Sequence, residues 1–102
     1  SIAKQLNLEL KSGVYYALQG PNLETPAEYK MIHTVGADLV GMSTVPEVIV
    51  AKHAGLNIFA VSIVSNVCFP IERITETSLE EVIEIAHQSG SKLSLLLSEL
   101  LQ

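Results

Sequence analysis

Three times along this chain a hydroxyl residue is followed, three positions later, by a glutamate: Thr25-Pro-Ala-Glu28, Thr44-Val-Pro-Glu47 and Ser78-Leu-Glu-Glu81. In this pattern the hydroxyl accepts from a free N–H of the first helical turn and the glutamate reaches back to the cap. Each occurrence therefore marks where a helix begins, and Pro26 reinforces the first by standing at the first helical position. An apolar stretch lies ahead of each start. Val14–Leu18 (VYYAL) is aromatic and β-branched, and reads as a strand after Gly13. Ala37–Met42 (ADLVGM) reads as a short buried strand. Leu56–Val64 (LNIFAVSIV) is almost continuously apolar, as expected of a strand covered on both faces. Gly36 and Gly55 are expected to stop the first two helices. A long irregular loop over 65–77 leads into a helix running to Leu101, with Gly90 as a candidate kink. Strand and helix alternate three times, which predicts an α/β fold.

Composition fits one core. Apolar residues make up 48% of the 102 and charged residues 17%, enough to fold rather than stay disordered. The net charge of −5, with six scattered Lys and Arg, argues against nucleic acid as a partner. The longest apolar run, around Ile58–Val64, is far short of the roughly 20 residues that cross a bilayer, so no membrane role is expected. Cys68 is the single cysteine and has no internal partner, which points to a reducing, cytoplasmic setting. The opening SIAKQLNLEL reads as a helix already under way. The expectation is one domain over residues 1–102, an incomplete C-terminal portion of a larger one.

In open α/β sheets, ligands sit beyond the carboxyl ends of the strands. Three loops leave such ends, carrying Gly20–Glu24, Met42–Thr44 and Ser65–Asn66. Glu24 is explained plainly as a carboxylate stabilised at a helix lead. Its functional reading is an acceptor for a ligand with two adjacent N–H donors. Ser43 and Thr44 are explained plainly as caps, and functionally as an anion site at a helix N-terminus. Asn66 is an Asx turn, or an amide that reads an edge of mixed donors and acceptors. The three histidines share no metal-ligand spacing, so no metal is expected.

GPNLETPAEYKMIHTVGADLVGMSTVPEVIVAKHAGL, followed by FAVSIVSN, resembles the C-terminal part of the purine nucleoside phosphorylase family. The likeness is to the trimeric class that prefers 6-oxopurines, and it covers nearly the whole chain. It implies a phosphorylase/nucleosidase-like mixed β-sheet flanked by helices. It implies phosphorolysis of (deoxy)inosine or (deoxy)guanosine to free base and pentose 1-phosphate, with phosphate as co-substrate and no cofactor. Carried over by position, Glu24 matches the base-binding glutamate and Asn66 the base-binding asparagine; these two are the candidate catalytic residues. Tyr15, Leu23, Val40 and Gly41 match the base pocket, Met42 the ribose contact and Ser43 a phosphate ligand. Two positions depart from the family. Leu23 stands where some relatives carry phenylalanine, and Leu79 where relatives often carry a histidine bonded to the 5′-hydroxyl. The family's further phosphate ligands lie outside these 102 residues, so the isolated chain is expected to be inactive.

The rival within the superfamily is 5′-methylthioadenosine phosphorylase. A 6-oxopurine offers N1–H and wants a carboxylate, whereas adenine N1 is an acceptor that a carboxylate repels. Glu24 with Asn66 therefore favours hypoxanthine and guanine, while apolar Leu79 suits a methylthio group. A non-catalytic binding or assembly module of the same fold is the alternative from another class.

Overall fold

The computed structural model describes all residues 1–102. Their order is α1 (Ile2–Gln5), β1 (Tyr15–Ala17), α2 (Pro26–Thr34), β2 (Leu39–Gly41), α3 (Val45–His53), a 3₁₀ turn (Ile71–Arg73) and α4 (Leu79–Leu100). The chain divides into two compact units, Gly13–Ile74 and the pair Ser1–Ser12 with Thr75–Gln102.

Within Gly13–Ile74, β1 and β2 pair in parallel, with Tyr15 opposite Leu39, Tyr16 opposite Val40 and Ala17 opposite Gly41. Parallel neighbours need a crossover between them, and α2 supplies it. Asp38 ties the strand starts together: its Oδ2 accepts from the Val14 N–H at 2.8 Å, and the Val14 carbonyl accepts from the Asp38 and Leu39 N–H groups. At the other end the Leu18 N–H donates to the Gly41 carbonyl at 2.9 Å. This bond carries the ladder to the carboxyl edge, where both loops leave together.

The helix starts follow local chemistry in two cases of three. Thr25 and Glu28 form the expected capping box, with the Thr25 N–H donating to Glu28 Oε2 at 2.6 Å and the Glu28 N–H to Thr25 Oγ1 at 3.3 Å. Ser78 and Glu81 form another at 3.1 and 3.2 Å. The box expected at Thr44 is absent, because Thr44 sits at φ 73°, ψ −51° and its side chain caps nothing. Its backbone forms a γ-turn instead, the Val45 N–H donating to the Ser43 carbonyl at 2.8 Å. That leaves Thr44 Oγ1 facing sideways, 3.2 Å from Ser43 Oγ.

Both glycine stops are as read. Gly36 has φ +97° and Gly55 φ +76°. In α2 the Gly36 N–H reaches the His33 carbonyl and the Ala37 N–H the Ile32 carbonyl. In α3 the Gly55 N–H reaches Lys52 and the Leu56 N–H reaches Ala51. These are paired Schellman bonds, which satisfy carbonyls the helix end would otherwise leave open. The first also brings Ile32 and Ala37 together, and both are buried, Ile32 to 4% exposure.

Leu56–Val64 departs from expectation: it forms no strand. The apolar run keeps its character but not its cover, with Phe59 at 57% exposure and Leu56, Val61 and Val64 also exposed. A strand apolar on both faces draws its stability from being sandwiched, and without that cover the ladder does not form.

In the other unit α1 and α4 pack together and bury Leu96. The second helix is continuous through Gly90, whose Cβ position meets nothing within 4 Å. It is 22 residues long, but no helix here is long and apolar enough to cross a membrane.

Candidate functional site

The carboxyl edge of the parallel pair opens into a cleft of about 700 Å³. Tyr15 lines it from β1, and Val40, Gly41, Met42, Ser43 and Thr44 line it from the end of β2 and the turn that follows. Val61 through Phe69 form another wall, which includes Asn66 and Cys68. Tyr29, Ile32 and His33 reach it from α2. Six of the eight candidate residues thus share one cavity.

Two do not line it. These are Leu23, which is 70% exposed, and Glu24. The link is direct, however: the Tyr29 hydroxyl donates to Glu24 Oε2 at 3.0 Å. Tyr29 was not among the residues singled out from sequence. A half-buried tyrosine usually finds a partner for its hydroxyl, and a tyrosine one turn into the helix that Glu24 precedes was the available signal.

Burial is the main influence on this phenol and pushes its pKa up. Hydrogen bonds to Cys68 and Glu24 push the same way. The group therefore stays protonated across the physiological range and remains a donor. Cys68 also accepts from Asn66 Nδ2 at 3.4 Å, and Asn66 Oδ1 accepts from Ser65 Oγ at 2.6 Å. Ser65, Asn66 and Cys68 are thus linked on one side, Tyr29 and Glu24 on the other, and Tyr29 and Cys68 line the same cleft. Phe69 adds an apolar floor by stacking on His33, ring centroids 4.0 Å apart.

On the opposite side, Tyr15 Oη lies 3.5 Å from Ser43 Oγ, a long contact at the limit of a hydrogen bond. Two glycines make room. A Cβ on Gly41 would lie 2.9 Å from Tyr15 Cζ and closer still to the hydroxyl. At Gly20, φ is +70° and a Cβ would run into the Met42 thioether. Side chains from either position would push Tyr15 or Met42 out of place. The cleft therefore offers an amide and a cluster of hydroxyls among apolar residues, with the Glu24 carboxylate one hydrogen bond away through Tyr29. That set can read a planar heterocycle on one side and hold an anion near Ser43 and Thr44 on the other.

The whole chain, residues 1–102, matches the family described as the phosphorylase superfamily. It is 48% identical over 87 residues to purine nucleoside phosphorylase 1 of Bacillus subtilis (strain 168), covering 85% of this chain and 32% of that protein. It is 47% identical over 94 residues to the purine nucleoside phosphorylase of Bos taurus, covering 91% and 32%. Among solved structures, isoform 2 of the Schistosoma mansoni enzyme, in complex with cytosine and ribose-1-phosphate, superposes with a TM-score of 0.90 at 36% identity. That match covers 96% of this chain and 35% of the other. A Schistosoma mansoni purine nucleoside phosphorylase in complex with inosine gives 0.88 at 36%, covering 98% and 36%. The chain spans about a third of the length of these relatives.

Proposed function

Because the chain belongs to the phosphorylase superfamily, we propose that the protein is a purine nucleoside phosphorylase, a pentosyltransferase, and that these residues supply the base side of its site and one phosphate ligand. The observation that carries the reading is the cleft itself. Tyr15, Val40–Ser43 and Asn66 line one cavity at the carboxyl edge of the parallel pair, with Glu24 one hydrogen bond away through Tyr29. The superfamily match runs through every one of these residues.

In this reaction a phosphate oxygen attacks the anomeric carbon of the nucleoside. The bond to purine N9 breaks, its electron pair goes to the base, and the base takes up a proton. Products are the free purine and pentose 1-phosphate. The sugar passes through an oxocarbenium-like state while the purine gathers negative charge, so catalysis lies in stabilising that charge. Asn66 is the donor for N7 and O6, where it accumulates. Glu24 accepts from N1–H and, in guanine, from the exocyclic amine. Met42 lies under the ribose, Ser43 binds phosphate, and Tyr15, Val40 and Gly41 wall the base; Leu23, expected beside them, is exposed outside the cleft. By the same resemblance the protein works as a homotrimer in the cytoplasm, with phosphate as co-substrate and no cofactor.

Phosphate-dependent release of base from inosine by the whole protein, with methylthioadenosine run in parallel, tests the reading. Inosine cleavage that is lost in Glu24→Ala and Asn66→Ala is expected. Preference for methylthioadenosine would move the protein to the 6-amino branch, and cleavage of neither would leave a binding module.

A further inference from the structure

The structure gives the Glu24 carboxylate one side-chain partner, the Tyr29 hydroxyl on Oε2. In the proposed reaction this carboxylate reads the edge of the purine that tells hypoxanthine from guanine. Hypoxanthine presents one donor there, N1–H, with a C–H beside it. Guanine presents two, N1–H and the exocyclic amine, and is matched best by both carboxylate oxygens side by side.

We propose that Tyr29 is a specificity-determining residue: by holding Oε2 of Glu24 it favours a purine with one donor at that edge, hypoxanthine, over one with two, guanine. The inference rests on the base-binding reading of Glu24 above. Each carboxylate oxygen has two lone pairs, so Tyr29 does not exclude a second donor. It acts in two other ways. It draws charge from Oε2, which makes that oxygen a poorer acceptor than Oε1. It also fixes the rotation of the carboxylate plane, since Tyr29 is itself held in the cleft wall beside Cys68, Ile32 and His33. One donor can follow Oε1 alone, but two coplanar donors need the plane turned to suit them. The phenol keeps its proton throughout, so the bond to Glu24 persists at working pH.

Asn66 is held separately, its Nδ2 donating to Cys68 Sγ at 3.4 Å and its Oδ1 accepting from Ser65 Oγ at 2.6 Å, so a change at Tyr29 is felt first at the carboxylate.

The test compares kcat/KM for inosine and guanosine in the whole protein and in Tyr29→Phe, which keeps the ring and removes the hydroxyl. The unaltered protein is expected to prefer inosine several-fold. In Tyr29→Phe the guanosine-to-inosine ratio is expected to rise about tenfold, the scale of one hydrogen bond to a charged group. Both rates come from one preparation, so a loss of folded enzyme cancels in the ratio, and a purely structural role would lower both alike. A ratio unchanged within about twofold would overturn the proposal. A second measurement needs no variant: hypoxanthine is expected to bind the unaltered protein at least as tightly as guanine, and guanine binding about tenfold tighter would overturn it too. Cleavage of neither nucleoside would overturn the phosphorolysis reading, and this inference with it; cleavage of both with an unmoved ratio overturns this inference alone.

Discussion

Replacing Gly41 by alanine puts a methyl group where the structure has room for none. The new Cβ would lie 2.9 Å from Tyr15 Cζ and 3.4 Å from Cε2, with the hydroxyl nearer than either. Ordinary carbon contacts begin at about 3.5 Å, so the far end of the ring must retreat by at least about 0.6 Å. Gly41 pairs with Ala17 through the ladder, so the backbone is poorly placed to yield, and the ring takes the displacement. Overpacking of one methyl in a fixed site costs about 1–3 kcal/mol. Tyr15 is only half-buried, so the lower part of that range, about 1–2 kcal/mol, is expected. The displaced hydroxyl also loses its 3.5 Å contact with Ser43, a proposed phosphate ligand, so the KM for phosphate should rise. Denaturant unfolding and phosphate-dependent kinetics of the whole protein measure the two effects. Tyr15→Phe removes the atom nearest the methyl, so Gly41→Ala should be less damaging in that background, by about 0.5–1 kcal/mol. If Gly41→Ala costs nothing, or costs the same with Phe at position 15, the close approach is not what keeps glycine there.

Glu24→Gln replaces a carboxylate oxygen with an NH₂ that faces the N1–H of a 6-oxopurine. One mispaired buried group costs about 1–3 kcal/mol, so kcat/KM for inosine should fall about 10- to 100-fold; activity at the unaltered level would remove Glu24 from the base site. Thr44 holds φ 73°, and such strain costs about 1–3 kcal/mol against the about 0.5–1 kcal/mol of extra chain entropy that glycine gives up. Thr44→Gly should therefore melt at or above the unaltered protein, while Thr44→Ala, which keeps the strain and loses the Ser43 contact, should melt below it. A destabilised glycine variant would contradict the strain argument. The Glu28 carboxyl is held below its ordinary 4.5 by the Thr25 N–H and then the Thr25 hydroxyl. A lowered folded-state value means the contribution is complete above about pH 5 and fades as pH falls through that lowered value. Glu28→Gln should narrow its stability gap from the unaltered protein as pH drops toward about 3; a gap independent of pH would show that the charge plays no part.

What could be read from the chain was whatever local chemistry decides alone. Thr25 with Glu28 and Ser78 with Glu81 start helices because the bonds are made within four residues. Gly36 and Gly55 end helices because only a positive φ closes the Schellman bonds. Thr44-Val-Pro-Glu47 carries the same letters as these starts and does something else, because the turn out of β2 sets its φ before the cap can form. No pattern of residue types records that. Leu56–Val64 failed for a different reason: a strand apolar on both faces is specified by its neighbours as much as by itself, and its own sequence states only the demand for cover. In the cleft, Ser43 and the β2 end were legible because strand ends gather polar loops; Asn66 was placed by a strand over 56–64 that does not form, and it lines the cleft from an irregular segment. Tyr29 was not, since its part depends on which way a helical side chain turns relative to a carboxylate in the preceding loop.

Three departures from regular structure fall together. Gly20 with its positive φ, Gly41 without room for a side chain, and Thr44 in its γ-turn all lie at the carboxyl edge of the β1–β2 pair. Each sets an atom of the cleft: Gly20 admits the Met42 thioether, Gly41 the Tyr15 ring, and Thr44 turns its own hydroxyl toward Ser43. A connector with no ligand to fit would relax the γ-turn into a side-chain cap, as at Thr25 and Ser78, and gain a hydrogen bond in doing so. Strain that persists where a cheaper cap is available is best explained by what the strained form presents. Here that is two hydroxyls, from Ser43 and Thr44, 3.2 Å apart at the mouth of α3, the arrangement an incoming phosphate would meet.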